Sequence, residues 1–284
     1  MLKRVKLGLL KIDKLFFKGK IKAYYSRNFK YKGKAYKLTK DLYFPPHTSA
    51  NKNVRMGAVG ELLAIGGDLS TDRMIHALKN GIYPMFFNNE PILWWTSEIR
   101  CVLFPKDIHI SKNIRSLIRK NNFFITVDKT FDDVVRACSE SRQDYTWLNP
   151  ERMALSFKLH KLGVAHSIEV WQDEKLVGGL FGIALGSCWF GDSMFARVSN
   201  TSKLAMVALT LRLEEMNFFV EDCGFWPTDH LKSMGAVIIP REEFLEILER
   251  SIQTPDIIDN WSNLFVNWDL RLAAEKHIAN EHQS

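Results

Sequence analysis

The stretch Val220–Ala236, VEDCGFWPTDHLKSMGA, reads as a short strand running into a helix, with Asp222 at the strand's end. A carboxylate there can attract and place a cationic nitrogen, or it can accept backbone hydrogen bonds at a helix start. Five residues separate Asp222 from the helix that begins near Thr228, which speaks against the capping role. Other reactive constellations fail. Gly191-Asp-Ser-Met-Phe is one glycine short of the G-x-S-x-G nucleophile elbow, so Ser193 is not expected to form an acyl-enzyme. No Walker loop and no dinucleotide fingerprint occur. Cys101, Cys138, Cys188 and Cys223 form no CxxC pair and no metal pattern, and they read as reduced thiols of a cytoplasmic protein. His166, just before SIEVW, reads first as a hydrogen-bonded structural histidine and second as an acid–base group. Glu169 alternates with Ile168 and Val170 and could line a cleft. Asp68 in GGDLS reads as a helix-start residue rather than a substrate contact.

The elements that must position these groups are legible from punctuation and periodicity. SIEVW, KLVGGLFGIAL and SCWFGDSMFA are three strand-like runs, with Gln172-Asp-Glu as the first turn and Gly186 as the second. Asn200 or Thr201 can cap a long helix through about Asn217. Strand Phe218–Cys223, helix Thr228–Met234, strand Val237–Ile239 and helix Arg241–Leu248 follow. A meander feeding a helix and then βαβα is the order of the acyltransferase fold of the acetyltransferase superfamily. Enzymes of that fold that use acetyl-CoA carry a Gly-containing loop before the central helix, so that backbone amides can hold the pyrophosphate. Arg197-Val-Ser-Asn-Thr-Ser stands there with no glycine, so CoA is not the expected donor. Upstream, Ser70 can cap a helix ended by Gly81, and Arg152 to Leu162 is an amphipathic helix ended by Gly163.

The 284 residues suffice for one large domain or two small ones, and a hydrophobic fraction of 46% with 12% aromatics describes an ordinary globular chain. No apolar run is long enough for a membrane span, and Lys11 and Asp13 break up the one stretch resembling a signal peptide core. The net charge of +7 is unevenly placed: residues 1–40 carry 14 Lys/Arg against Asp13, a local +13 that leaves the remaining 244 residues at −6. Such an arm, interleaved with Phe16, Phe17, Tyr24, Tyr25, Phe29 and Tyr31, suits a polyanion such as RNA. A solvated extension is the alternative, and a membrane-surface helix a third that Gly8, Gly19 and Gly33 weaken. FPPHTSANKN, Phe44 to Asn53, reads as a linker.

Taken in order, ELLAIGGDLS, GIYP, EPILWW, HISK, Thr146-Trp147, HSIEVW, LVGG, GDSMF, Ser202-Lys203, Asp222-Cys223 and SMGAVIIPR resemble the leucyl/phenylalanyl-tRNA–protein transferase family across about Gly60 to Leu248. The resemblance implies an α+β chain with a small N-terminal domain joined to an acetyltransferase-like domain, whose central mixed sheet is flanked by helices. It divides the sequence into a basic arm and linker (1–50), the small domain (51–99), the aminoacyl-transferase domain (100–250) and a C-terminal extension (251–284). The implied reaction moves Leu, Phe or Met from charged tRNA to the N-terminal α-amine of proteins starting with Arg or Lys, marking them for degradation. No cofactor, metal or CoA is implied, and a cytoplasmic monomer is expected. Such an aminolysis needs placement of amine and ester and stabilisation of the oxyanion, but no covalent enzyme intermediate.

Site roles follow from the same resemblance. In the family the Asp of a D-C-Q segment orients the amine with the Gln beside it; Asp222 and Cys223 match, whereas Gly224 stands in the Gln position. Met85 replaces the Trp of GIxPWF that helps hold the terminal adenosine, and Trp147 matches the other adenosine-contacting Trp. Asp192 stands for the Glu of GESMF, and Met194 and Leu180 match the apolar donor pocket. Met adapts to Leu, Phe or Met side chains. Gly224, Met85 and Asp192 leave a second function in view, a catalytically weakened relative that binds aminoacyl-tRNA or N-terminal peptides without efficient transfer. A third is a transferase that uses aminoacyl-tRNA to modify something other than a protein.

Overall fold

The computed structural model describes residues 35–56, 60–142, 146–258 and 261–281. Most of the basic arm, residues 1–34, therefore lies outside the described residues. Two sheets organise the rest. The first contains β1 (Tyr36–Leu38), β2 (Asn51–Met56), β3 (Gly60–Gly66), β4 (Tyr83–Pro84) and β5 (Leu93–Ser97), in the order β1-β3-β5-β4 with β2 also on β3. Helix α1 (Thr71–Lys79) packs on it, capped by the Ser70 hydroxyl, which accepts from the Arg73 N–H. Arg73, fully buried, donates to the carbonyls of Thr39, Lys40 and Asp41 and to the Asp68 carboxylate, tying the entering chain to the helix start. The stretch read as a linker in fact enters the sheet: Phe44 is buried and packs edge-on to Trp94, and Asn51 onward pairs with β3. Pro45 and Pro46 lead into the single 3-10 turn His47–Ser49, and Asn51 and Asn53 already lie in β2.

The second sheet is built from β6 (Ile99–Leu103), β7 (Phe124–Val127), β8 (Ala165–Gln172), β9 (Lys175–Leu185), β10 (Cys188–Ala196), β11 (Val220–Asp222) and β12 (Val237–Pro240). Their order is β12-β6-β11-β10-β9-β8-β7. Helices α2 (Lys112–Lys120), α3 (Phe131–Glu140), α4 (Pro150–Lys161), α5 (Thr201–Glu215), α6 (Asp229–Lys232), α7 (Arg241–Ser251) and α8 (Leu270–Glu281) complete the chain. The β8–β9–β10 meander turns at Asp173-Glu174, both at positive φ, and at Gly186. After α5 the chain returns as β11, parallel to β10. This is the α+β order expected from the sequence, a meander feeding a helix and then βαβα. Two apolar layers cover the sheet, one centred on α5 with Trp189 and Trp261, the other on α3, α4 and α7 with Phe181 and Phe244. The close seating of α5 depends on Gly178, where a Cβ would stand 2.2 Å from the Thr201 hydroxyl.

The strand and helix bounds around β8 to α7 fall within a few residues of those read from sequence. The region between the first sheet and Pro150 supplies β6, α2, β7 and α3. Among the described residues no helix is long and apolar enough to cross a membrane.

Candidate functional site

Strand β10 runs on beyond its last pairing with β11, Phe190 opposite Asp222, and a cavity of about 410 Å³ opens beside that divergence. Three walls define it. The first carries Asp222. Arg100 of β6 grips this carboxylate with both prongs, Nε to Oδ1 at 2.8 Å and Nη2 to Oδ2 at 2.6 Å, and both side chains are about 4% exposed. The guanidinium lies between the rings of Phe225 and Phe244, 4.7 and 4.8 Å from their centroids, and its Nη1 donates to the Gly81 carbonyl. Gly224 donates its N–H back to Asp222 Oδ1 at 2.9 Å, a fold-back that uses φ +86° and so favours glycine. Of about four acceptor sites on a carboxylate, these three donors leave one free. Thr228, not Asp222, caps α6.

The second wall is aromatic and charged. Arg152 of α4, with a fully buried side chain, donates to Asp192 Oδ2 at 2.9 Å and to the Tyr83 hydroxyl at 3.0 Å, and Tyr83 in turn donates to Asp192 Oδ1. Burial and the Asp192 charge push the Tyr83 phenol well above its ordinary range, so it acts as a neutral donor. Trp147 packs edge-on to Tyr83 with Arg152 under its ring. Met85 also lines the cavity, and its carbonyl accepts from Trp95 Nε1 at 2.6 Å. Arg142 stands at the rim, donating to the Ser193 hydroxyl at 2.6 Å.

The third wall is apolar, formed by Leu180, Trp189, Met194, Met206 and Leu209. Two polar groups interrupt it. Glu221 is 2% exposed, its Oε1 has no hydrogen-bond partner among the described residues, and burial pushes its carboxyl up to about 8. His230 Nε2 is likewise unpartnered, and burial with the nearby Lys203 charge lowers the imidazole below its ordinary value. The Cys223 thiol lies well above its usual range through its hydrogen bond with Cys101 and its burial, which leaves it a poor nucleophile.

Seven of the eight residues singled out from the sequence, Asp222, Gly224, Met85, Trp147, Asp192, Met194 and Leu180, line this one cavity. Glu169 does not. It is fully buried on β8 and accepts from Thr126 and Ser167, because β8 is an inner strand whose alternation points that side chain into covered space. Asp192 reaches the cavity wall but its carboxylate is held by Tyr83 and Arg152. His166 is structural: Nδ1 meets Asp128 at 2.7 Å, Nε2 meets the Gly163 carbonyl, and its ring stacks on Trp261. Asp128, His160 and His166 bring ligand-type atoms together, yet His160 Nδ1 already meets the Ala165 carbonyl, so the group reads as structural too. Sequence reasoning missed Arg100, Tyr83, Arg152, Glu221 and His230. For two of them a signal existed, a lone Arg in the apolar run IRCVLF and a lone Glu in FFVED.

Residues 102–249 match the leucyl/phenylalanyl-tRNA protein transferase family, and residues 67–98 match that family's N-terminal domain. The leucyl/phenylalanyl-tRNA–protein transferase of Syntrophus aciditrophicus is 42% identical over 228 residues, spanning 79% of this chain and 92% of that protein. That of Saccharophagus degradans is 43% identical over 235 residues, spanning 81% and 93%. That of Flavobacterium johnsoniae is 45% identical over 217 residues, spanning 75% and 99%. A solved ribosomal-protein-alanine N-acetyltransferase from Brucella melitensis biovar Abortus 2308 aligns at 17% identity and a TM-score of 0.30 over 39% of this chain and 86% of that one, too slight a likeness to bear on the site. With relatives 42–43% identical across about four fifths of its length and family matches over residues 67–98 and 102–249, this chain belongs to the leucyl/phenylalanyl-tRNA–protein transferase family.

Proposed function

We propose that the protein transfers the aminoacyl group of a charged tRNA, with Leu, Phe or Met as the donor residue, to the N-terminal α-amine of proteins that begin with Arg or Lys. The product enters N-degron degradation, and the protein works in the cytoplasm as a monomer without cofactor. The observation that carries the reading is the meeting, in one cavity, of an apolar pocket, an aromatic wall and the one free acceptor site on Asp222.

The groups divide the work as the chemistry requires. Trp147 offers a face for the terminal adenosine. Leu180 and Met194 receive the donor side chain. The free site on Asp222 accepts an N–H of the incoming amine and fixes its direction, so Asp222 acts by placement while Arg100 holds it still. The amine nitrogen attacks the ester carbonyl carbon, the bond from that carbon to the ribose oxygen breaks, and the proton released from nitrogen ends on the ribose hydroxyl. His230, unprotonated near neutral pH, is suited to take the earlier proton that turns the ammonium into the nucleophile.

Incubation with mixed charged tRNA and a peptide starting with Arg or Lys, followed by mass spectrometry, should show the peptide heavier by one donor residue. Tight binding of aminoacyl-tRNA with no labelled peptide from any donor would replace the transferase by the binding protein.

A further inference from the structure

A concentration of positive charge lies outside the cavity, on a chain whose residues 41–284 carry an excess of acids. Helix α2, KNIRSLIRK, holds four cations and no acid. Lys112, Arg115 and Arg119 fall at i, i+3 and i+7, in a row of about 10 Å on one face of the helix. That row borders a groove of about 500 Å³ whose far side is α8, with Arg271 and Glu275. Glu275, the one acid in the groove, is held by Arg271 Nε at 3.0 Å, so four cations stand against a single carboxylate. Helix α8 lies beyond the family match over residues 102–249 and lends no residue to the catalytic cavity. It is nonetheless locked in place. Ala273 and Ala274 are buried in the layer centred on α5, and the buried His277 bridges Glu214 of α5 at 2.8 Å and the Ile108 carbonyl at 2.9 Å.

We propose that this groove seats the base-paired stem of the donor tRNA by its phosphates, so that α8 extends the grip on the RNA away from the reacting end. This rests on the transferase reading and adds a second contact region to it. Three observations choose the partner. A face of cations with one paired acid complements a polyanion. The rest of the groove lining is aliphatic, with no aromatic ring among the described residues, so unpaired bases find nothing to stack on and the contact is with backbone. The groove also adjoins the cavity along the chain. Helix α6 lends His230 and Leu231 to the cavity wall, Met234 just after it accepts from the His109 N–H at 2.9 Å, and Ser111 then caps α2. Helix α2 therefore starts beside the wall that receives the charged end.

The test compares the full chain as wild type, as the triple variant Lys112→Gln, Arg119→Gln and Arg271→Gln, all three exposed side chains, and as Glu275→Gln. Filter binding of uncharged tRNA over a salt series should give the triple variant a slope of log K against log salt that is shallower by about two to three. Its binding at low salt should weaken by about tenfold or more, whereas Glu275→Gln should bind more tightly. With an Arg-starting peptide, kcat/KM for leucyl-tRNA should fall by a similar factor through KM. Transfer from leucyl-adenosine, which has no stem, should stay at the wild-type rate; a merely structural role would lower both. An unchanged salt slope in the triple variant, or an equal loss with both donors, overturns the proposal. Lost binding to phosphatidylglycerol vesicles with an unchanged tRNA slope would give the groove to a membrane surface instead. If wild type transfers from neither donor, the transferase reading fails, and the salt slopes still decide the groove.

Discussion

Replacing Glu221 by Gln should make the protein more stable, and increasingly so as the pH rises. The folded carboxyl titrates at about 8 and its ordinary value is 4.5, so between these values the folded chain holds a proton that the unfolded chain has lost. Stability therefore falls as the pH climbs through this window and levels off above 8. With 1.36 kcal/mol per unit, the carboxyl costs the fold about 1–2 kcal/mol at pH 5.5, about 3 at pH 7 and about 4–5 at pH 8.5. Gln has nearly the same shape and no such titration, so the advantage of Glu221→Gln over wild type should grow by about 3 kcal/mol across that range. At roughly 2 °C per kcal/mol for a chain of this size, the gap in Tm should widen by roughly 6 °C. Thermal melts of both proteins in matched buffers from pH 5.5 to 8.5 measure it, and every other titrating group drops out of the difference. Parallel Tm curves would refute the reasoning, because they would mean that Glu221 is ionised in the fold or reached by water.

Three further perturbations probe the other walls. Asp222→Asn should lose roughly 3–5 kcal/mol by stranding Arg100 and slow transfer on the order of 10²-fold or more, while donor affinity holds; Arg100→Met with Asp222→Leu should regain stability but not turnover. His230→Gln should lower the plateau of the pH–turnover profile and remove its acid limb below pH 6.5, and an unaltered profile would take the imidazole out of the proton path. Removing residues 1–34 should weaken tRNA binding and flatten its dependence on salt, which a filter-binding titration reads directly; an unchanged slope would separate the arm from RNA.

The meander, α5 and the β11–α7 run were legible because strand alternation, turn residues at positive φ and helix stops all point the same way there. The cavity residues Trp147 and Met194 were legible only through the resemblance, because they stand in its Thr146-Trp147 and GDSMF blocks; periodicity does not single them out. Arg100 was not, since its partner lies 122 positions away and only the β6–β11 pairing brings them together. Tyr83 and Arg152 were hidden likewise, one at the edge of the first sheet and one on α4, 69 positions apart and joined by their own hydrogen bond as well as through Asp192. Glu169 was misplaced because alternation on one strand says which residues share a face, not whether that face meets a cavity or a neighbouring layer.

Arg100 touches more than its carboxylate. Its third nitrogen reaches back to the turn after α1, and one of its two flanking rings belongs to α7, so a single guanidinium clasps three separately encoded pieces of chain. Met85 and Tyr83 come from that same early segment. The cavity is thus lined mostly from the larger sheet and its helices, while the smaller sheet closes one side of it with Tyr83 and Met85. A change in the early segment alone would therefore reshape one face of the cavity and leave Asp222 and the apolar wall standing.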